Sequence, residues 1–197
     1  MDFTKEIKGH TLEYLDASHT YLVDGVIVPS ITQVLGWKFN TKYDHVSRDV
    51  LKRASDKGTA VHQAIEDYCR YGIDDGSTEV RNFRFLEDQY KFDVIENEIP
   101  VILTMYGEPV SAGRLDMVMQ MDGKTGGADI KATATLDKVY LSYQLNLYRI
   151  AYSQCYGITW SFLKGIHLKD SKRKLVDIPV NEKLALQVME DYINGHQ

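Results

Sequence analysis

The sequence lacks the features that mark several classes of protein. Its two cysteines, Cys69 and Cys155, are too few for a four-thiolate zinc or iron–sulfur site. No apolar run approaches the roughly 20 residues that a membrane-spanning helix needs, so we expect no membrane partner. The first residues, MDFTKEIKGH, lack the apolar segment of an export signal, which predicts a cytoplasmic protein without a disulfide.

An excess of basic residues is also absent. The chain has 23 Lys and Arg against 28 Asp and Glu, a formal net charge of −5. This balance argues against indiscriminate binding of polyanions, although a local basic groove remains open. There is no repeat, low-complexity tract or linker, and 197 residues with 44% hydrophobic content predict a single domain over 1–197.

The most informative stretch is residues 111–133, SAGRLDMVMQMDGKTGGADIKAT. Two runs of alternating apolar residues flank the Asp-Gly dipeptide at 122–123, which favours a type I′ hairpin turn. A two-residue turn there places Asp116 opposite Asp129, and Lys131 shares their face of the sheet. The other face is expected to enter the core and carries Leu115, Met117, Met119, Met121, Ala128, Ile130 and Ala132.

Two carboxylates placed face to face repel each other unless a cation offsets them, and hard divalent cations take carboxylate oxygens. A lysine beside such a cation can steady a water or a developing oxyanion, as metal-assisted phosphodiester hydrolysis requires. The same residues could instead form an exposed hairpin face with solvated charges and a Lys–Asp pair. Gly126 and Gly127 could also widen the loop and shift the register.

The rest of the chain predicts helices and strands around this hairpin, in an α/β or α+β fold with a mixed sheet flanked by helices. Residues 10–28 predict a small N-terminal β-hairpin as an appendage. Ser30 and Gln33 form a capping-box pattern that begins a short helix. Further helices are predicted over 43–56, 60–72, 79–96 and 136–157 and after Asn181, with strands over 97–107, 158–168 and 174–180.

Six short motifs follow one another along the chain: PSIT (29–32), GTAVH (58–62), Glu98, GRLD (113–116), DIK (129–131) and QLNLY (144–148). Their order and spacing resemble those of the PD-(D/E)XK nuclease superfamily, in particular its RecB-like and phage-exonuclease branch. Leu115 precedes Asp116 where the superfamily name has proline, a departure common in this branch. The resemblance implies a restriction-endonuclease-like core.

The resemblance also implies a set of site residues. Mg²⁺ or Mn²⁺ would be held by His62, Asp116, Asp129 and the backbone carbonyl of Ile130. Lys131 would position and activate the attacking water, and Glu98 would be a further acidic member of the site. Gln144 and Tyr148 would buttress the site and touch the DNA backbone.

Contacts to DNA are expected outside the metal site. Ser30 and Thr32 could contact a phosphate at the start of a helix. Eight basic side chains could contact the backbone in a salt-dependent, sequence-independent way: Arg48, Lys52, Arg53, Lys164, Lys169, Lys172, Arg173 and Lys174.

The activity implied is that of a metal-dependent DNA exonuclease of the recombination and repair type in a bacterial or phage-infected cell. It would act on linear duplex ends or single strands, and a single-strand annealing protein or a second copy of the chain could be its partner. Two alternatives remain open: a structure-specific or restriction-like endonuclease, and a nucleic-acid-binding subunit with an idle site.

Overall fold

The computed structural model describes residues 2–39 and 47–196, which form two β-sheets and five α-helices. The N-terminal sheet is antiparallel and contains β1 (Phe3–Ile7), β2 (His10–Leu15), β3 (Thr20–Val23) and β4 (Val26–Val28). The main sheet has the order β5 (Phe92–Met105), β6 (Glu108–Met121), β7 (Lys124–Lys131), β8 (Phe162–Lys169) and β9 (Lys172–Ile178). The helices are α1 (Ile31–Lys38), α2 (Arg48–Tyr71), α3 (Thr78–Tyr90), α4 (Lys138–Tyr156) and α5 (Glu182–Gly195).

The main sheet is mixed, because β7 and β8 run parallel while its other neighbouring strands are antiparallel. Helix α4 connects β7 to β8, as a parallel crossover requires. The predicted α/β fold with a mixed sheet flanked by helices is therefore confirmed. Among the described helices, none has both the length and the apolar character needed to cross a membrane.

Two apolar clusters hold the helices on the sheets. The first, here the α4 cluster, joins the N-terminal sheet, α1, α4 and α5 to β5 and β6, and includes Leu12, Val34, Val101, Leu145 and Val188. The second, the α2–α3 cluster, packs these two helices on the main sheet and includes Ile65, Phe83, Met117, Met119 and Ile130. The N-terminal sheet thus shares a core with the main sheet.

The central hairpin has the predicted register. Met121 pairs with Lys124, and the ladder continues in step to Met117 and Ala128. Asp122 and Gly123 have positive φ values of 50° and 71°, as a type I′ turn requires. The loop is therefore two residues long, and the glycines at 126 and 127 belong to β7.

The predicted apolar face is confirmed with one difference. Met117, Met119, Ala128 and Ile130 enter the α2–α3 cluster, with Met121 and Ala132 at its border. Leu115 belongs to the α4 cluster instead. It lies beyond the last pair of the β6–β7 ladder, Met117 with Ala128, and faces Ile99 of β5, which is in the same cluster.

Two predictions near the N-terminus were wrong in extent. The expected hairpin over 10–28 is part of a four-stranded sheet, because β1 adds a strand along β2. The helices expected over 43–56 and 60–72 are one helix, α2, over the residues described, and 43–46 lie outside them. A single glycine inside a helix costs only about 1 kcal/mol relative to alanine, so Gly58 does not interrupt α2.

The helix expected over 79–96 was also too long. Helix α3 ends at Tyr90, Lys91 adopts a left-handed conformation with φ of 52°, and β5 begins at Phe92. Val94, which fits the helical period, therefore lies in a strand. Pro100 lies in β5 at the edge of the main sheet, as predicted for a strand that contains proline.

Candidate metal centre

Three side chains that lie far apart in the sequence meet beside the central hairpin. His62 comes from α2, Glu98 from β5 and Asp116 from β6, and one possible ligand atom of each lies within 4.8 Å of the others. Glu98 and Asp116 are cross-strand neighbours, because the pairs on either side of them are Asn97 with Met117 and Ile99 with Leu115. The antiparallel register of β5 and β6 thus brings two carboxylates together.

The end of the β6–β7 ladder brings the peptide of Ile130 to the same place. The backbone amide of Ile130 donates a hydrogen bond to Asp116 Oδ2 at 2.6 Å. Its carbonyl oxygen lies 3.0 Å from His62 Nε2, while His62 Nδ1 lies 3.4 Å from Asp116 Oδ1. His62, Asp116 and the Ile130 carbonyl, three of the four expected ligands, are therefore adjacent.

Asp129, the fourth expected ligand, lies outside the three-residue group. Its side chain is almost fully buried, and its Oδ2 lies 2.6 Å from the ammonium of Lys131. Burial raises the pKa of Asp129, and the negative charge of Asp116 raises it further against the opposing effect of Lys131. The structure thus places Asp129 as the partner of the lysine, with Glu98 nearer to His62 and Asp116.

The pKa values in the group are shifted because the place is partly buried and several carboxylates lie close together in it. Burial, together with the charge of Asp116, raises the pKa of Glu98 to about 7 although Arg114 opposes this. Burial alone would lower the pKa of His62, but Asp116 and Asp129 outweigh it and raise that pKa to about 9. Burial likewise opposes the ionisation of Asp116, yet the facing His62 lowers its pKa. In the metal-free protein, protons on His62 and Glu98 therefore offset part of the negative charge that a bound cation would otherwise offset.

Glu98 also has an unusual backbone. Its φ is 53°, a left-handed conformation that few residues other than glycine adopt and that costs about 1–3 kcal/mol. The carboxylate forms an ion pair with the guanidinium of Arg114, which is on the facing strand. Strain of this kind persists only where the surrounding structure imposes it. Here it occurs at Glu98, whose carboxylate lies with His62 and Asp116 and pairs with Arg114.

Helix α4 supports the site with two buried side chains, Gln144 and Tyr148. The Tyr148 hydroxyl donates to the carbonyl of Arg114 at 3.0 Å, and its ring packs so closely on Gly113 that a Cβ there would lie 3.0 Å away. Gln144 Oε1 is buried and has no hydrogen-bond partner among residues 2–39 and 47–196. The glycine of the GRLD motif thus lets α4 approach β6.

Ser30, which was expected to contact a phosphate at the start of α1, forms hydrogen bonds within the chain instead. The backbone amide of Gln33 donates to Ser30 Oγ, which lies 3.0 Å from Thr32 Oγ1, and the backbone amide of Ser30 donates to Gln33 Oε1. This is the predicted capping box, and it fixes the start of α1. Thr32 itself is exposed.

The basic residues expected at DNA lie on three elements, helix α2 and the neighbouring strands β8 and β9. Arg48, Lys52 and Arg53 lie on the exposed first half of α2, and the others lie on β8 and β9. Lys164 is largely buried, with its ammonium 2.6 Å from Asp177. Arg173 lies over the ring of Phe85 at 3.6 Å. The remaining members of the β8–β9 group are Lys169, Lys172 and Lys174.

Sequence reasoning missed a cleft and one of its arginines. The cleft, of about 760 Å³, lies between the N-terminal sheet and α2 and reaches Glu98 and Arg114. Arg114 lies in the GRLD motif two residues before Asp116, so the alternation of β6 could have indicated it. The cleft could not be seen, because it depends on the packing of distant elements.

The donors of the three-residue group fit a divalent cation. Two carboxylates and an imidazole supply oxygen and nitrogen ligands, with the Ile130 carbonyl beside them. Mg²⁺ prefers oxygen ligands, and the imidazole favours Mn²⁺. These four donors do not fill the coordination sphere of a six-coordinate cation, so positions remain for water and substrate. A catalytic site needs such open positions, whereas the ligands of a structural site fill them.

Comparisons with known proteins do not identify a family. No protein-family model matches the chain, and no curated protein matches it. Among solved structures, the chain is similar to the crystal structure of SSO0001, with 14% identity and a TM-score of 0.49 over 86% of this chain and 77% of that chain. A likeness of this degree carries no argument about function, so any function must be argued from the site.

Proposed function

We propose that the protein is a divalent-metal-dependent DNA exonuclease. One observation carries the proposal: the ligand atoms of His62, Glu98 and Asp116 lie within 4.8 Å of one another, beside the ion pair of the buried Asp129 and the partly exposed Lys131. Metal-assisted phosphodiester hydrolysis requires a set of ligands for the cation and an ammonium held beside it.

In this proposal, Mg²⁺ or Mn²⁺ would be held by His62, Glu98 and Asp116, with the Ile130 carbonyl as a further donor. When bound, the ion would supply a Lewis acid for the phosphoryl oxygen and lower the pKa of a coordinated water. His62 must lose a proton to serve as a ligand, because its imidazole has a pKa of about 9 in the metal-free protein.

The role of Lys131 follows from its surroundings. Burial opposes its charge, but Asp129 and Asp116 outweigh burial and raise the pKa of the ammonium. Lys131 therefore stays protonated at neutral pH, and it acts as a hydrogen-bond donor to the attacking water and to developing negative charge. Asp129 holds the ammonium in place, so removing Asp129 would misplace Lys131.

Helix α4 would keep these groups in register. Tyr148 fixes the backbone of β6 through the Arg114 carbonyl, and Gln144 presents a buried amide oxygen one helical turn away.

We further propose that the protein works in the cytoplasm of a bacterial or phage-infected cell, on linear duplex ends or single strands. A single-strand annealing protein or a second copy of the chain is the partner that suits this activity.

The test uses end-labelled linear DNA with Mg²⁺ or Mn²⁺. We expect the wild type to release nucleotides and Lys131→Ala to be slower by about 10²–10³-fold, since one oxyanion donor contributes about that much. Lys124→Ala, at the exposed tip of the same hairpin, is the matched control and should act as the wild type does.

Two outcomes would contradict parts of the proposal. Equal rates for the wild type and Lys131→Ala would refute the role of the lysine. Cleavage of circular single-stranded DNA at a rate similar to linear DNA would show an endonuclease, and an RNA substrate in parallel shows whether DNA is preferred.

A further inference from the structure

Arg114 is the feature of the site that the proposed hydrolysis does not use. Its guanidinium pairs with Glu98, its side chain is 37% exposed, and it lines the cleft between the N-terminal sheet and α2. On its other side it lies over the ring of Tyr14 in β2, 5.7 Å from the ring centroid. It is thus held between an aromatic ring and a carboxylate that belongs to the candidate metal centre.

Two cations therefore compete for one carboxylate. Glu98 can serve as a ligand in the group with His62 and Asp116, or it can pair with Arg114. Like charges a few ångströms apart repel, and this repulsion is strong where solvent is partly excluded. A divalent ion at the three-residue group weakens the hold of Glu98 on Arg114.

We propose that Arg114 exchanges partners: a divalent cation takes Glu98, and the freed guanidinium binds a phosphate of a nucleic-acid strand in the cleft. An arginine suits this task because its planar fork matches carboxylate and phosphate oxygens alike. The phosphate half of the proposal rests on the proposed function, whereas the exchange between the two cations does not.

A second arginine of the same cleft shows why the exchange is specific to Arg114. Arg70 lies 2.7 Å from Glu66 and donates to the carbonyl of Asn97 at 2.8 Å. Glu66 is not a member of the three-residue group, so cation binding leaves Arg70 with its partner. Arg70 is the matched control for Arg114.

The exchange predicts positive coupling between the cation and nucleic acid. Each ligand removes a competitor of the other, because the cation removes Glu98 from Arg114 and a phosphate removes Arg114 from Glu98. Coupling of this kind is reciprocal, so the cation must tighten nucleic-acid binding by the factor by which nucleic acid tightens cation binding.

The first experiment measures Mn²⁺ binding by calorimetry without nucleic acid. Arg114→Ala should bind Mn²⁺ several-fold more tightly than the wild type, because Glu98 loses the competing guanidinium. Arg70→Ala should bind as the wild type does. Equal or weaker binding by a folded Arg114→Ala would overturn the exchange, since a guanidinium that only orients Glu98 would lower the affinity when removed.

The second experiment measures the affinity for a fluorescent single-stranded oligonucleotide in EDTA and in Ca²⁺, with strand integrity checked on a gel. In the wild type, Ca²⁺ should raise the affinity by about tenfold, a typical coupling. Arg114→Ala should reduce this ratio to about twofold or less, whereas Arg70→Ala should weaken binding in both buffers and keep the ratio.

A third measurement frees the arginine without a cation. Glu98→Gln should bind the oligonucleotide more tightly than the wild type in EDTA, and adding Arg114→Ala to it should abolish the gain. Asp67→Asn removes the same charge from the same cleft at a residue that pairs with Gln63, and it should show little gain. A gain equal to that of Glu98→Gln would mean that charge alone explains the effect.

The outcomes separate this inference from the proposed function. If Ca²⁺ strengthens oligonucleotide binding equally in the wild type and Arg114→Ala, the inference fails and the nuclease proposal stands. If no oligonucleotide binds under any condition while Arg114→Ala still tightens Mn²⁺ binding, the nuclease proposal and the phosphate contact fail, and the cation exchange stands.

Discussion

At the scale of residues, the site is a balance of buried charges that a cation would change. Burial, followed by the charge of Asp116, raises the pKa values of Glu98 and Asp129. The pKa of His62 is raised because Asp116 and Asp129 outweigh the lowering effect of burial. Arg114 and the proton on His62 offset this charge in the absence of metal. The state of the metal-free site should therefore depend on pH.

This dependence has a definite sign. The pKa of Glu98 rises from 4.5 to about 7 on folding and that of His62 from 6.5 to about 9. A group with a raised pKa binds its proton more tightly in the folded state, so its stabilisation is complete below the unfolded pKa and lost as pH rises through the folded one. The lowered pKa of Asp116 acts in the opposite sense, but only below its ordinary value of 3.8.

We therefore expect the melting temperature of the metal-free protein to fall between about pH 5 and pH 9. Added Mg²⁺ or Mn²⁺ should stabilise the protein more at about pH 8.5 than at about pH 6, because metal binding releases these protons. Scanning calorimetry with EDTA and with each metal measures both. Glu98→Gln and His62→Gln should flatten the profile, and an unchanged slope in both would show that other groups cause it.

At the scale of elements, glycines decide where strands and helices can approach one another. Gly113 admits the ring of Tyr148 on β6, and a Cβ at Gly127 in β7 would collide with the ring of the buried Trp160. Gly58 in α2 has nothing within 4 Å of a Cβ and an ordinary helical backbone. The same substitution should therefore have opposite effects at different glycines.

We expect Gly127→Ala to destabilise the protein by about 3 kcal/mol and Gly113→Ala by about 1–2 kcal/mol, because overpacking forces neighbours to shift. Gly58→Ala should stabilise it by about 0.5–1 kcal/mol, since alanine favours the helix and restricts the unfolded chain. Urea unfolding of the three variants measures these changes. Destabilisation by Gly58→Ala would mean that α2 needs flexibility at this point.

These elements also show which predictions from sequence were reliable. The hairpin turn at 122–123 and the cap at Ser30 were predicted correctly, because each depends on bonds among residues at most three apart. The boundary after Tyr90 was missed, because Val94 fits a helical period and only pairing with Met119 in β6 makes it a strand residue. Local patterns cannot report a partner strand 25 residues away.

At the scale of the whole molecule, the N-terminal sheet and α4 share one apolar cluster, which includes Leu12, Val101 and Leu145. The N-terminal sheet also forms one wall of the cleft and supports Arg114 through Tyr14. It should therefore unfold together with the main sheet, as the predicted single domain requires.

Leu12→Ala tests this cooperativity. Leu12 is fully buried, so we expect its truncation to lower the free energy of unfolding by about 2–5 kcal/mol in a single transition. Tryptophan fluorescence and far-ultraviolet circular dichroism should give the same midpoint in urea. Leu15→Ala, an exposed position on the same strand, should change the stability by less than about 0.5 kcal/mol. An early separate transition would show that the N-terminal sheet is an independent appendage.

The sequence by itself determined the turn at 122–123, the register that brings Asp116 towards Asp129, and the face on which Lys131 lies, because backbone dihedrals and strand alternation act over a few residues. The motif resemblance implied that Glu98 belongs to the site of His62 and Asp116. Only the tertiary structure decided that Glu98 lies in the three-residue group where Asp129 was expected, that Asp129 pairs with Lys131, and that Arg114 faces a cleft. His62 and Ile130 are 68 residues apart, and no local rule specifies such a meeting. This contact forms because α2 and β5 pack against the hairpin, and the same packing determines which of the charged side chains are buried.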